Sequence, residues 1–367
     1  MKKIRVEVSA LATPHQSGIA RYTQLLTNSL AKAKNTEVHG SYFNFLNRQQ
    51  EPVLHEKVIY EKNIFIPLRI YSNLHSRFKA PYFDLFKKKV DVTIQPNYSC
   101  WPTIRSRKTI TAIHDLTYIH YPELVESKNL AHLRRIVPRT IKKSDYILTI
   151  SETVKNELMA EFNIDSSRFI VTPIPADDIF YVPSSNEIHK KYNIPTKKYI
   201  LFIGNLEPRK NLSTLIRAYR LLPEDIRKEY SLIIGGGKGW KFEETEQVLN
   251  SGPENENIRR IGFVDQDDLP SLYQHASLFA ITSLYEGFGM PILEALASNC
   301  PVLASDIPVF RETGGNVITY AAHNSPDDFS DKLITLLKTT PNKKEIRRHL
   351  STISWEENAK KIIQACE

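Results

Sequence analysis

One pattern is used twice along this chain. Short runs of β-branched and aromatic residues alternate with longer amphipathic stretches: residues 4–8 then 19–33, later 109–113, then 146–150 followed by 153–162. The alternation restarts at residues 199–203 and continues with a helix expected over 212–222, a strand at 231–234 and another at 258–261. A helix opening near Asp267, a strand at 278–282 and a helix from Pro291 complete it. A strand that must pass through a helix before the next strand re-enters the sheet in the same direction, so this pattern predicts an α/β fold with largely parallel sheets. Between the halves, residues 172–195 carry Pro173, Pro175, Pro183 and Pro195, which fix φ and remove backbone donors; the segment reads as a linker. At 367 residues the chain also exceeds what one core usually supports. The expected division is 1–178, with a terminal helix over 354–367 packing back towards it, and 179–353.

Composition and charge narrow the class. With 41% hydrophobic and 25% charged residues and no low-complexity tract, the chain has the makeup of folded domains. Residues 1–12 are broken by Glu7 and Ser9, unlike a signal peptide, and no stretch reads as a spanning helix. Cys100, Cys300 and Cys366 are far apart and form no CxxC pair, so neither a disulfide framework nor a structural zinc site is expected, and a reducing cytoplasm is the expected location. The net charge of +8 belongs to the first half: residues 1–180 hold 26 Lys and Arg against 17 Asp and Glu, whereas residues 181–367 hold 23 against 24. Its densest parts are residues 77–89, with Lys87, Lys88 and Lys89, and residues 134–143; Phe78, Tyr82, Phe83 and Phe86 stand near the first. Two readings stay open, a peripheral contact with an anionic membrane such as the inner face of the plasma membrane, and a solvated face that keeps the chain soluble. A nucleic-acid-binding protein is disfavoured, because no helix-turn-helix, zinc-finger or RNA-binding signature accompanies the charge.

Neither half shows GxGxxG after its first strand, which disfavours a dehydrogenase, and Gly235, Gly236 and Gly237 read as a tight turn after a strand. The most informative segment is LFAITSLYEGFGMPILEALASNCPVLASD, residues 278–306. An apolar strand feeds a glycine-containing turn, Pro291 opens a helix, and the chain returns as the next strand. Ligands of such units sit beyond the carboxyl ends of strands, at helix amino termini that attract anions. Glu286 and Glu294 bracket this turn, and paired carboxylates suit vicinal hydroxyls because each accepts several directed hydrogen bonds.

The run Glu286-Gly287-Phe288-Gly289-Met290-Pro291-Ile292-Leu293-Glu294 resembles the E-x7-E signature of glycosyltransferase family 4. Gly204-Asn205-Leu206-Glu207-Pro208-Arg209-Lys210-Asn211 is similar to the strand–loop–helix by which that family presents basic residues to a donor diphosphate. The likeness is strong in the second half and weak in the first, where it rests on strand order and on Ile113-His114-Asp115. It implies the GT-B fold, two Rossmann-like domains with parallel sheets facing across a donor/acceptor cleft, and a retaining, metal-independent hexosyltransferase. Carried over by position, Glu286 would bind the donor sugar's hydroxyls, Glu294 the ribose, and Arg209 and Lys210 the diphosphate. The backbone of Gly287, Phe288, Gly289 and Met290 would lie against sugar and phosphate, with Gly262, Phe263 and Val264 beside the nucleobase. His114 matches the histidine near the sugar, and Gly18, in Ser17-Gly18-Ile19, the glycine turn near the phosphates; a histidine after a strand is as often purely structural, so both readings of His114 stay open.

There are departures from the family pattern. Asn205 stands where many members carry Arg, and Gly18 where many have paired glycines, so phosphate neutralisation falls on Arg209 and Lys210. Cations before a helix are unfavourable without an anion, which favours a functional reading of that pair. Asp265-Gln266-Asp267 matches the D-x-D pattern of metal-dependent transferases, but it precedes a helix and reads as a cap, with Asp267 in the capping role and Pro270 in the first turn. No metal or cofactor is expected; the nucleotide-diphosphate sugar is the substrate. EPRKN and SDIPVFRE are similar to bacterial O-antigen and capsule mannosyltransferases, which implies GDP-mannose as donor and a growing, lipid-linked cell-surface glycan as acceptor. A sugar-nucleotide epimerase of the same fold is the alternative.

Overall fold

The computed structural model describes residues 1–12, 18–77, 82–183, 187–195, 198–253 and 256–366. The chain forms two compact units, Met1–Ile174 with Ser354–Glu367, and Pro175–Ile353.

The first unit holds β1 (Lys2–Glu7), β2 (Thr36–Phe43), β3 (Ile59–Asn63), β4 (Val90–Gln95), β5 (Ser106–Ala112), β6 (Tyr146–Thr149) and β7 (Phe169–Val171). They pair in the order β3-β2-β1-β4-β5-β6-β7, every pairing parallel. Helices cover both faces of such a sheet, so its central strands bury side chains on both sides; Ile4, Val6, Val92 and Ile94 have no exposed surface, and neither have Arg5 and Thr93. Helix Trp355–Ala365 belongs to this unit: Asn358 Nδ2 donates to the Pro173 carbonyl at 2.6 Å and Ser29 Oγ to that of Trp355 at 2.8 Å.

Arg5 is fully buried in β1, paired with Glu61 at 2.7 Å and with Asp84 at 3.4 Å. The same charged layer corrects the expectation for the basic run. Lys87 is no surface lysine: its ammonium donates to Ser41 Oγ at 2.6 Å and lies over the buried Phe83 ring, and burial pushes it down to about 8. Only Lys88 and Lys89 of the three are exposed. Phe78 lies outside the described residues.

Glu7, at the carboxyl end of β1, accepts the Ser9 amide at 2.8 Å, yet burial outweighs that bond and the nearby Lys87 charge and pushes its carboxyl up to about 7. From the ordinary carboxylate range up to that value the folded chain holds a proton the unfolded chain has lost, so stability falls as pH rises through the window. Glu7→Gln is expected to flatten this slope and to raise unfolding free energy above neutral pH by up to about 3 kcal/mol. Urea unfolding of both proteins at about pH 5 and about pH 8 reads it; parallel slopes would refute it.

The second unit holds β8 (Lys198–Ile203), β9 (Tyr230–Gly235), β10 (Ile258–Gly262), β11 (Leu278–Ile281), β12 (Val302–Ser305) and β13 (Thr319–Ala321). Their order is β10-β9-β8-β11-β12-β13, again wholly parallel. The direction of winding reverses between β8 and β11. Crevices in parallel sheets open at such a point, beyond the carboxyl ends of the two strands.

Candidate functional site

Everything after β8 and β11 is held at that reversal. Beyond β8, Pro208–Lys210 forms a single 3-10 turn, and Asn211, in the left-handed region at φ 49°, turns the chain into helix Leu212–Leu221. Beyond β11, the backbone of the two loops is stapled: Leu284 N donates to the Arg209 carbonyl at 2.9 Å, and Thr282 Oγ1 to that of Lys210 at 2.9 Å. Three side chains then meet. Lys210 Nζ lies 2.5 Å from Glu286 Oε1, and Arg209 Nη1 2.5 Å from Oε2, with Ser283 Oγ donating to Oε1 at 2.9 Å.

This cluster revises the expectation for the basic pair. Arg209 and Lys210 are not a solvated turn in search of an anion, because Glu286 already supplies one. Burial alone would raise the Glu286 carboxyl, but the Arg209 and Lys210 charges overcome it and hold it at about 2. Glu207, also buried, takes Arg209 Nη2 at 2.8 Å, while Arg209 Nη1 reaches the Tyr285 carbonyl at 2.8 Å. The formal charges of Glu207, Arg209, Lys210 and Glu286 cancel. The two cations are therefore held in place by carboxylates rather than standing in a bare positive pocket.

Glu294 sits on helix Met290–Ala297, one residue longer at its start than expected from Pro291, and accepts the buried Tyr273 hydroxyl on Oε2 at 3.1 Å. Gly289 caps that helix at φ 103°, and a Cβ there would lie 2.8 Å from the Phe310 ring, so only glycine fits. Gly287 and Phe288 are buried and Met290 half-buried; Thr313 Oγ1 pins the Phe288 carbonyl at 2.6 Å. The loops after β8, β9 and β10 line up beside this: Gly236 N donates to the Gly262 carbonyl at 2.7 Å, and Gly204 N to that of Gly235 at 3.0 Å. A Cβ on Gly236 would fall 1.9 Å from the Gly204 carbonyl oxygen, so this glycine permits close approach of two backbones as well as a turn. Asn205 is exposed at the lip, Val264 is buried, and the Phe263 ring is 73% exposed.

The capping role expected of Asp267 fails. Helix Leu269–His275 starts after Asp268, and no side chain caps it; Asp268 instead accepts the Tyr192 hydroxyl at 2.6 Å and pairs with Lys191, which also lies 3.5 Å from Asp265. The N-cap position falls to Asp268, whose carboxylate a tertiary ion pair has taken, while Asp267 lies inside the 3-10 turn Gln266–Asp268. Among the described residues no group of three or more His, Cys, Asp or Glu side chains converges as a metal site.

The first unit carries the other two named residues. His114 follows β5, buried, its Nε2 donating to the Pro96 carbonyl at 2.7 Å, and burial pushes its pKa down, so the ring is held neutral. Gly18 is the exposed first residue of helix Gly18–Lys32; Ser17 beside it lies outside the described residues. Sequence reasoning left Glu207, Ser283 and Tyr273 without roles. Glu207 had a signal, an acid two residues before Arg209 in a turn, whereas Tyr273 reaches Glu294 only through the packing of two helices.

Two parallel Rossmann-like sheets, with an acid–base cluster at the reversal point of the second, define a glycosyltransferase of the GT-B class. The chain belongs to the glycosyl transferases group 1 family, whose model matches residues 184–362. It is 30% identical over 336 residues to O-antigen chain mannosyltransferase B of Escherichia coli, an alignment covering 88% of this chain and 87% of that one. It is 31% identical over 229 residues to O-antigen chain mannosyltransferase RfbU of Salmonella typhimurium, covering 62% and 59%. In structure it resembles sucrose-phosphate synthase from Thermosynechococcus elongatus, with a TM-score of 0.73 at 14% identity over 100% of this chain and 98% of the other.

Proposed function

We propose that this glycosyltransferase moves mannose, with retention of configuration and without a metal, from GDP-mannose to a growing, lipid-linked cell-surface glycan such as an O-antigen or capsule. The observation that carries the transfer reading is the Arg209–Lys210–Glu286 cluster at the reversal point of the second sheet. Cations fixed in place before the substrate arrives stabilise charge that develops on a departing diphosphate, at no cost of reorganisation during the reaction. The amino terminus of helix Met290–Ala297 adds its dipole to the same task. Glu286 holds the sugar's hydroxyls, Glu294 the ribose, and the exposed Phe263 offers a flat apolar face for the nucleobase. Mannose and the O-antigen acceptor are supported by the names of the two relatives. Those names are also why the epimerase alternative is set aside.

Donor choice is tested by thermal shift with UDP, GDP, ADP and their sugars, because a ligand that binds only the folded state raises apparent stability by mass action. GDP-mannose is expected to give the largest shift; a larger shift from a uridine or adenosine nucleotide would overturn that choice. Activity is expected to survive EDTA, since Arg209, Lys210 and helix amides meet the leaving charge. Loss of activity in EDTA, restored by Mg²⁺ or Mn²⁺, would return Asp265 and Asp267 to consideration as ligands.

A further inference from the structure

Three segments of the first unit pack on Phe43 of β2 in one buried aromatic cluster with Tyr71, Phe83 and Trp101. Tyr71 belongs to helix Leu68–Arg77, Phe83 to the loop before β4, and Trp101 to the loop before β5. The two loops are bonded together: Phe83 N donates to the Pro102 carbonyl at 2.8 Å and Arg105 Nε to that of Leu85 at 2.8 Å. On the outside of this cluster large apolar side chains are left in water. Tyr71 and His75 turn inward from the helix, while Ile70 and Leu74, one turn apart on its outer face, are 52% and 38% exposed. Phe65 is 74% exposed and Phe86 88%, and Tyr82, Leu85 and Ile104, of the two bonded loops, are exposed as well.

Surface leucines scattered singly need no explanation, but seven large apolar residues around one cluster do. Charge says what covers them. Exposed Arg69, Lys88, Lys89 and Arg105 belong to the same three segments. Residues 64–89 contain a single acid, Asp84, and it is fully buried, bonded to Arg5 and to the amides of Ile104 and Arg105. The described part of this surface is therefore apolar and cationic, with no exposed carboxylate. Apolar side chains, aliphatic and aromatic, that enter the acyl boundary, with lysine and arginine heads left at the phosphate level, match an anionic lipid surface. A nucleic acid could stack on Phe65, Tyr82 and Phe86 but would leave the aliphatic Ile70, Leu74, Leu85 and Ile104 without a partner.

We propose that this face of the first unit docks on an anionic bilayer, with Phe65, Ile70, Leu74 and Phe86 entering the interface and Arg69, Lys88, Lys89 and Arg105 meeting the head groups. The assignment deepens the lipid-linked acceptor reading above, and it moves the contact from the basic run Lys87, Lys88 and Lys89 to an apolar surface with a basic rim. Insertion of apolar groups and attraction of charge are separate contributions, so the two kinds of variant respond differently to salt.

Cosedimentation with phosphatidylcholine vesicles, with and without phosphatidylglycerol, tests it on the full chain. The wild type is expected to bind the anionic vesicles, and Leu74→Ser with Phe86→Ser to reduce binding by about tenfold or more. Lys88→Gln with Lys89→Gln is expected to cost about tenfold at low salt and little at high salt. Lys343→Gln with Lys344→Gln, exposed on helix Lys343–Leu350 of the second unit, is expected to change little. Full binding by the Leu74/Phe86 variant, equal loss in the Lys343/Lys344 variant, or failure of the wild type to bind anionic vesicles would each overturn the proposal. So would light scattering that shows a dimer dispersed by the Leu74 and Phe86 substitutions, since a second copy would then be the occupant. Nucleotide binding by thermal shift, without vesicles, separates the two readings: its absence in the wild type would sink the donor assignment and leave the docking result standing.

Discussion

Glu286→Gln is expected to lower kcat by about 10²-fold or more while affinity for the free nucleotide diphosphate holds or rises. Two effects act on turnover together. The sugar loses a carboxylate that fixes its position at the reacting centre, and Arg209 and Lys210 lose the group that orients them, each at 2.5 Å. Affinity moves the other way, because the same carboxylate competes with a diphosphate for both cations. Removing one partner of a buried ion cluster also leaves charge uncompensated, which costs about 3–5 kcal/mol in comparable cases. A bound diphosphate would supply the missing anion, so the nucleotide should raise the melting temperature of the variant more than that of the wild type. Steady-state rates, calorimetric titration and melting with and without nucleotide measure all three. A kcat close to wild type, or nucleotide affinity lost along with turnover, would sink the assignment.

Glu294→Gln is expected to do the reverse and weaken the free nucleotide by roughly 1.5–3 kcal/mol, the scale of one lost charged hydrogen bond. Glu294 lies on the helix that follows the Gly289 cap, and Tyr273, fully buried, donates to its Oε2 and fixes the orientation of the carboxylate. Glutamine keeps the shape and one acceptor but loses the charge. Because the ribose is present in donor and free nucleotide alike, the loss should appear in both, with kcat at saturating donor much less affected than in Glu286→Gln. Equal nucleotide affinities in the two variants would remove Glu294 from the ribose.

Much of the local structure was legible because its signals are local. The strands expected at residues 199–203, 231–234 and 278–282 appear as β8, β9 and β11 within one residue, since contiguous runs of buried apolar side chains, ended by glycine after β8 and β9 and by Thr282 and Ser283 after β11, leave little choice. The turn before helix Met290–Ala297 was visible in Gly287, Gly289 and Pro291. Less visible were β2, β3 and β13. In β2 Gly40 and His39 interrupt the apolar pattern, and β3 is an edge strand whose polar residues Glu61, Lys62 and Asn63 read as loop. Their place comes from neighbours that pair with them.

What the sequence determined by itself was the α/β grammar, the two halves and the residue types at the glycine-containing turns, all properties of contiguous segments. What only the tertiary structure decided was which of those residues meet. Lys210 and Glu286 are 76 residues apart, and they touch because β11 pairs with β8 while β9 and β10 lie on the other side. Nothing in either segment encodes that adjacency; it follows from burying both faces of a parallel sheet with right-handed crossovers, a condition on the whole unit. The three lysines at 87–89 make the same point on a smaller scale. They are identical in sequence, yet one is drawn into the buried charged layer around Arg5 and two are left in water, because a side chain's surroundings are set by elements that the sequence places far away.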